Sequence, residues 1–384
     1  MLRVEECATL DELVSLRTEW DALLDRADLT TIYSTWEWAE ACWRYVLPGR
    51  QPLILVARDA DGAMVGLLPL ARTSRFGLLN MLEVLGCTRL GYPLGDYAGL
   101  VAVRGAERDV FLAFLRYLKS ARRWSVLDLR NIMAGVPPRE EQMSQLLSEA
   151  AAQLGWEVST VEADSCRVLA LPSTFDQYLA TLSSNTRQNI RRKLRKLQPA
   201  GITIEAVDAL DEQARTDALE TFYKFHRLRW AATGSREGFA HPQVREMHRH
   251  LAANLAARGW LDLRLVRSAD GQIQGVIYNF RRNGACYFYH IGFNNEEEWS
   301  PYSLGFCLLA TSIEAAIESG CHTFDFLRGD HEYKRHFSGR TTHNFRVTVY
   351  KQSWLPKAIG LARKLKRKTP AHVAPQLGAS PVSD

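Results

Sequence analysis

The chain repeats itself, and the repeat limits what it can fold into. Residues 53–70 place two β-rich runs on either side of Asp61-Gly62, with a second glycine at Gly66. Residues 261–280 restate that layout around Asp270-Gly271 and Gly275. An Asp-Gly pair between alternating apolar runs predicts a tight hairpin. Each hairpin is followed by a further strand, a helix, and then a strand carrying an acid and an arginine. The helices are expected at about 107–121 and 301–319, the second stopped by Gly320. The strands are Val126-Leu-Asp-Leu-Arg130 and Phe324-Asp-Phe-Leu-Arg328. One order of elements met twice reads as a duplicated α/β unit, and 384 residues accommodate two domains of roughly 100–200 residues each.

Composition narrows the class: 46% hydrophobic and 24% charged residues supply an ample core and exclude a collagenous or wholly disordered chain. The net charge of +5 is mild, but basic residues gather at 187–196 and 357–368. Seven scattered cysteines without a Cys-x-x-Cys pair point to reduced thiols, not a disulfide framework or zinc knot. A basic n-region with an apolar h-region is missing, as is any run near ~18 apolar residues, so a cytoplasmic location is expected.

Residues 10–46 read as helical, with Trp20, Trp36, Trp38 and Trp43 as core. Between the repeats, Ser173 or Thr174 caps one short helix and Ser183, Ser184 or Asn185 a second. The second helix carries Ile190, Leu194 and Leu197 on one stripe, with Arg187 on the same side and the other basic residues mostly elsewhere. After about Tyr350 a basic amphipathic tail reads as a terminal helix or as a segment for an anionic membrane surface. From Thr369 its composition predicts disorder.

Phosphate-loop, dinucleotide-turn and nucleophile-elbow motifs are absent. The histidines fall in no HExxH frame, so no metal is expected. Two stretches carry the chemistry. In the first, the apolar strand ending at Leu327 runs out into Arg328, Gly329, Asp330, His331, Glu332, Tyr333 and Lys334, the kind of strand exit where open α/β sheets bind ligands. Asp325, flanked by aromatics, is expected to be buried and paired with Arg328, Lys334 or Arg187. In the second, the strand of Tyr287 and Tyr289 ends near Gly292, and Ser300-Pro-Tyr-Ser-Leu-Gly305 opens a helix with Pro301 in its first turn. The free N–H groups of such a helix end suit a diphosphate.

These segments resemble a known family. Residues 170–340 resemble the GNAT-type domain of bacterial acetyltransferases of cellulose or exopolysaccharide biosynthesis (CelD/BcsL-like), similar in turn to the FemABX aminoacyltransferases. The resemblance rests on residues 178–187, on Phe225-His226 through Arg229-Trp230 and Gly234, on Gly275, on residues 300–305 and on residues 325–334. It implies an α+β fold of two tandem GNAT-like (acyl-CoA N-acyltransferase) domains with mixed central sheets. Residues 1–165 would be a degenerate copy, 166–350 the acyltransferase domain and 351–384 a tail.

The same resemblance implies acetyl-CoA or another acyl-CoA as donor, bound where the fourth strand splays from its neighbour, with its pyrophosphate on Tyr302, Ser303, Leu304 and Gly305. The acceptor would be an amine or hydroxyl of a small molecule, sugar or polysaccharide precursor. Candidates for base are His226, Glu332 and His331, and for proton donor Tyr289, Tyr302 and Tyr333. Arg187, Trp230, Asp325, Arg328 and Lys334 are candidates for substrate binding. Two other expectations stand beside this one: FemABX-like transfer from aminoacyl-tRNA, with residues 187–196 on RNA, and a non-catalytic scaffold at a membrane polysaccharide synthase.

Overall fold

The computed structural model describes residues 2–45, 50–75, 79–86, 95–97, 99–120, 124–133, 142–231, 238–329, 331–337 and 339–351. The strands are β1 (Arg3–Cys7), β2 (Arg50–Arg58), β3 (Met64–Arg75), β4 (Leu79–Val84), β5 (Val101–Ala102), β6 (Val126–Met133), β7 (Glu157–Ala170), β8 (Thr203–Ala206), β9 (Leu261–Arg267), β10 (Ile273–Arg282), β11 (Ala285–Phe293), β12 (Thr323–Arg328) and β13 (Arg340–Tyr350). The helices are α1 (Leu10–Ser15), α2 (Arg17–Leu24), α3 (Trp36–Arg44), α4 (Glu107–Ser120), α5 (Gln142–Gln153), α6 (Phe175–Thr181), α7 (Ser184–Leu197), α8 (Glu212–Ala231), α9 (Pro242–Ala257), α10 (Leu304–Glu318) and α11 (Glu332–Arg335).

The duplicated hairpins are present as expected. β2 and β3 pair antiparallel around a turn whose Gly62 has φ +85, and β9 and β10 around Gly271 with φ +84. Both glycines occupy the left-handed region that a side chain disfavours. The turns close alike, Gly62 N–H donating to Asp59 O at 3.3 Å and Gly271 N–H to Ser268 O at 2.8 Å.

In each half the third large strand is followed by a parallel neighbour reached through a helix. β4 runs parallel to β6, and β11 runs parallel to β12. α10 ends as its sequence predicts: Cys321 N–H donates to Ala316 O and Gly320 N–H to Ile317 O, each at 2.9 Å, with Gly320 at φ +75. This is the paired closure that a glycine after a helix permits.

The two halves share strands. The sheet runs β1-β2-β3-β4-β6-β13-β7-β12-β11-β10-β9-β8, with β5 on the side of β3. β13, last in the described chain, lies between β6 and β7, and β7 lies between β13 and β12. Each half therefore borrows a strand from the other. Position 165/166, the expected boundary, falls inside β7.

One apolar core is continuous across the halves, joining Trp20, Trp38, Phe111 and Phe114 to Phe222, Leu251, Tyr278 and Phe280. A second lies on the opposite face of the later half, beneath α6, α7 and α10. Cys7, Cys42, Cys166, Cys286, Cys307 and Cys321 are all buried.

Two sequence expectations need correction. Residues 10–46 are broken into α1, α2 and α3, with a 3-10 turn at Ile32–Ser34 between the last two. Thr9 and Thr35 each cap a new start, at α1 and α3, with side-chain oxygens accepting backbone N–H groups. The helix expected from Pro301 begins instead at Leu304, because Ser303 takes φ 50 and ψ 51 and separates it from a 3-10 turn over Glu297–Tyr302. The caps of the linking helices resolve to Thr174 and Ser183, accepting from Gln177 N and Thr186 N at 3.2 Å each.

Candidate active site

The parallel pairing of β11 with β12 covers three residue pairs and ends at Tyr287↔Asp325. β11 nevertheless runs on to Phe293 and β12 to Arg328, so the two strands part there. The register shifts between Tyr278↔His290 and Asn279↔Phe288, which makes Tyr289 the extra residue of a bulge in β11. Bulges re-aim side chains, and here Tyr289 and His290 lie with ring centroids 4.4 Å apart. Both remain partly exposed.

Asp325 stands at the parting point and is 7% exposed. Its Oδ1 accepts from Leu327 N–H at 2.7 Å and from the Tyr97 hydroxyl at 3.4 Å. Burial pushes its carboxyl up to about 7, although both hydrogen bonds oppose the rise. The expected arginine partner is occupied elsewhere: Arg328 pairs with Asp96, and its guanidinium lies 3.8 Å from Asp164. Lys334 is 3% exposed and donates to the Phe326 and Arg328 carbonyls at 2.8 Å each. Burial lowers its ammonium to about 8. Lys334 thus ties the strand exit together.

Tyr97 and Leu327, the two donors to Asp325, have φ values of 54 and 56. Such angles are uncommon for side-chain-bearing residues, and each costs roughly 1–3 kcal/mol that surrounding structure must hold. Asp96, Tyr97 and Tyr33 come from the first half, and sequence reasoning missed all three. Tyr33 is 2% exposed, and its hydroxyl has no hydrogen-bond partner among the described residues. Its ring lies 6.2–6.5 Å from those of Tyr97, Tyr287 and Tyr289.

The proposed base His226 is 5% exposed and packs on Phe222, Phe239 and His290. Burial, and then Arg229, lower it to about 3, so it is neutral at pH 7. His248 joins two tyrosines, with Nε2 3.3 Å from the Tyr289 hydroxyl and Nδ1 3.4 Å from that of Tyr278. Burial lowers it to about 3 as well. Burial, and then Asp96, raise the Tyr289 hydroxyl well above its ordinary range.

Glu332 and His331 are exposed on the turn after β12, and His331 stacks on the half-buried Tyr333 at 5.8 Å. Burial raises the Tyr333 hydroxyl to about 12. Asp330 and Gly234 lie outside the described residues. Trp230 is in the last turn of α8, and its side chain is also outside them.

The predicted diphosphate site is a separate cluster. Leu304 is buried, and a Cβ on Gly305 would meet the Phe293 ring at 2.4 Å, so it is Phe293 that this glycine admits. The amides of Leu304 and Gly305 donate no hydrogen bond among the described residues, whereas those of Phe306 and Cys307 both reach Ser303 O. From α7, Lys193 Nζ donates to Ser303 Oγ at 2.5 Å and Lys196 Nζ to Pro301 O at 3.1 Å. Lys196 also lies 5.6 Å above the Tyr302 ring. Arg187 is half-buried, with no side-chain hydrogen bond or ion pair among the described residues.

Residues 184–335 match the model of an acetyltransferase (GNAT) domain. The crystal structure of FemX superposes with a TM-score of 0.64 at 12% identity, covering 92% of this chain and 99% of FemX. The fold is a tandem GNAT-like one. A second likeness agrees: the C-terminal domain of a putative lysylphosphatidylglycerol synthetase from Agrobacterium fabrum, at a TM-score of 0.53 and 12% identity, covering 93% of this chain and 96% of that one. No curated protein is significantly similar in sequence. The GNAT match falls on the half that holds the β11/β12 parting, α7 and the start of α10. No helix among the described residues is long and apolar enough to cross a membrane.

Proposed function

We propose that the protein is an acyl-coenzyme A-dependent acyltransferase with its reaction centre in the second half. The observation that carries this reading is the parting of β11 from β12 after Tyr287↔Asp325, inside the segment that matches the GNAT model. A pantetheine arm enters between the strands, and its carbonyl meets the Tyr289 and Asp325 side. The diphosphate sits at Leu304 and Gly305, whose free amides suit an anion, with Lys193 and Lys196 beside it.

The donor supplies an activated thioester. The protein's part is proximity, a proton acceptor for the nucleophile and a donor for the departing sulfur. Tyr289, held by His248, is placed for the last role. The acceptor is an amine or hydroxyl of a small molecule, sugar or polysaccharide precursor. An acetyl group, a polysaccharide pathway and a cytoplasmic site of action belong to the same proposal. Residues 1–165 act as a non-catalytic copy that lends structure and side chains.

The test is thermal shift and thiol release with acetyl-, succinyl- and palmitoyl-coenzyme A against glucosamine, ethanolamine and lysine. Stabilisation by donor and acceptor-dependent free thiol are expected, and Lys193→Ala should weaken donor binding about tenfold. Absence of both signals across the panel overturns the reading. Arg191, Arg192 and Arg195 are exposed on α7, which favours transfer from aminoacyl-tRNA as the second reading. A salt-dependent gel shift with charged tRNA would support that alternative.

A further inference from the structure

We propose that Asp325 is the residue that takes the proton from the acceptor, and that the first half makes it competent by supplying Tyr97. This deepens the acyl-transfer reading and rests on it. Three independent features of the geometry converge on this carboxylate. It stands at the last paired position before β11 and β12 part, where a thioester carbonyl between the strands comes nearest the sheet. Both of its hydrogen bonds among the described residues fall on Oδ1, which leaves Oδ2 for the acceptor. Its two donors, Tyr97 and Leu327, are both held in left-handed backbone.

The surroundings fit a group that changes protonation during turnover. Tyr97 and Tyr33 face it from the first half, Cys166 from β7, Tyr287 from β11 and Lys334 from α11, with Asp96 and Arg328 paired nearby. Neither cation bonds the carboxylate: Lys334 is turned to two carbonyls and Arg328 to Asp96. The Tyr33 hydroxyl, buried and without a hydrogen-bond partner among the described residues, belongs to the same cluster and is a donor for a polar acceptor.

In the step itself the acceptor N–H or O–H proton passes to Asp325 Oδ2 as the nucleophile's lone pair bonds to the thioester carbon. The C–S bond then breaks with its electron pair on sulfur, which takes a proton from the Tyr289 hydroxyl. Asp325 returns its proton to water, and Tyr289, which is partly exposed, takes one back from water.

The experiment measures thiol release against pH with the donor and acceptor panel above, for wild type, Asp325→Asn and Tyr97→Phe, with melting curves as a check on folding. Wild-type kcat/KM should rise with pH through about 7. Asp325→Asn should lose at least about 100-fold, the usual scale of a general base. Tyr97→Phe removes a hydrogen bond that favours the charged form, so its rising limb should move to higher pH.

Carboxyl-labelled aspartate followed by carbon NMR should show one resonance, absent in Asp325→Asn, that titrates near 7 and moves upward in Tyr97→Phe. A silent wild type overturns the acyl-transfer reading, and this assignment with it. An active wild type whose Asp325→Asn variant keeps its rate within threefold, or whose Tyr97→Phe limb stays in place, overturns the assignment alone. Should Asp325→Asn not fold, the Tyr97→Phe limb decides.

Discussion

The two halves part their parallel strands at matching places and fill the gap in opposite ways. In the first half the last pair is Glu83↔Asp128, and in the second it is Tyr287↔Asp325. Asp128 is fully buried and held by Nε and one Nη of Arg346, at 2.6 and 2.9 Å, and by Arg130 at 2.8 Å. Glu83 beside it lies 3.9 Å from Arg50. Burial pushes the Asp128 carboxyl up, but the arginines outweigh it and hold it below its ordinary range. Asp325 receives one amide and one phenol, and its carboxyl rises. The first gap is closed with ion pairs; the second keeps a carboxylate ready to exchange its proton.

The largest effect should come from breaking the first arrangement. Arg346→Ala takes the two-pronged partner from a buried carboxylate, leaving it Arg130 alone among the described residues, and should cost about 3–5 kcal/mol in denaturant melts at pH 7. A loss below about 1 kcal/mol would remove the distinction between the halves.

Asp325→Asn should act in the other direction. A folded-state ionisation raised from 3.8 to about 7 means that stability is fully present below pH 4 and is lost as pH rises through about 7. The asparagine variant should therefore equal wild type near pH 4 and exceed it by roughly 4 kcal/mol at pH 8. Equal pH dependence in both proteins would contradict the raised ionisation.

The hairpins test how deep the duplication goes. A Cβ on Gly66 would meet Val110 Cγ1 at 2.3 Å, and one on Gly275 would meet Phe293 Cβ at 2.8 Å. Alanine at either position should cost about 1–3 kcal/mol by overpacking. Smallest is Ser183→Ala at the start of α7, expected to cost about 1 kcal/mol through the lost cap.

What the sequence disclosed was local. The Asp-Gly turns, the stop at Gly320, the caps at Thr174 and Ser183 and the burial of the tryptophans all follow from short-range chemistry. The repeat and the family resemblance together led to the tandem fold. The exchange of β7 and β13 was hidden because strand partners as far apart in sequence as Ser165 and His343 leave no local signal.

The site was hidden for a related reason. Tyr97 and Asp325 are 228 positions apart, and nothing around Gly95-Asp-Tyr97 announces chemistry. The arginine three residues after Asp325 suggested a partner, but the register shift between Asp325 and Arg328 turns it to Asp96. Arg328 and Lys334 are candidates for a substrate anion by residue type alone. Both are engaged within the protein, Arg328 with Asp96 and Lys334 with two backbone carbonyls.

The most direct test sets the two acids side by side: kcat/KM for thiol release at pH 7 in Asp325→Asn and Asp128→Asn, each confirmed as folded. The account predicts a loss of at least about 100-fold for Asp325→Asn and a rate within a few-fold of wild type for Asp128→Asn. Equal losses, or a loss confined to Asp128→Asn, would contradict it.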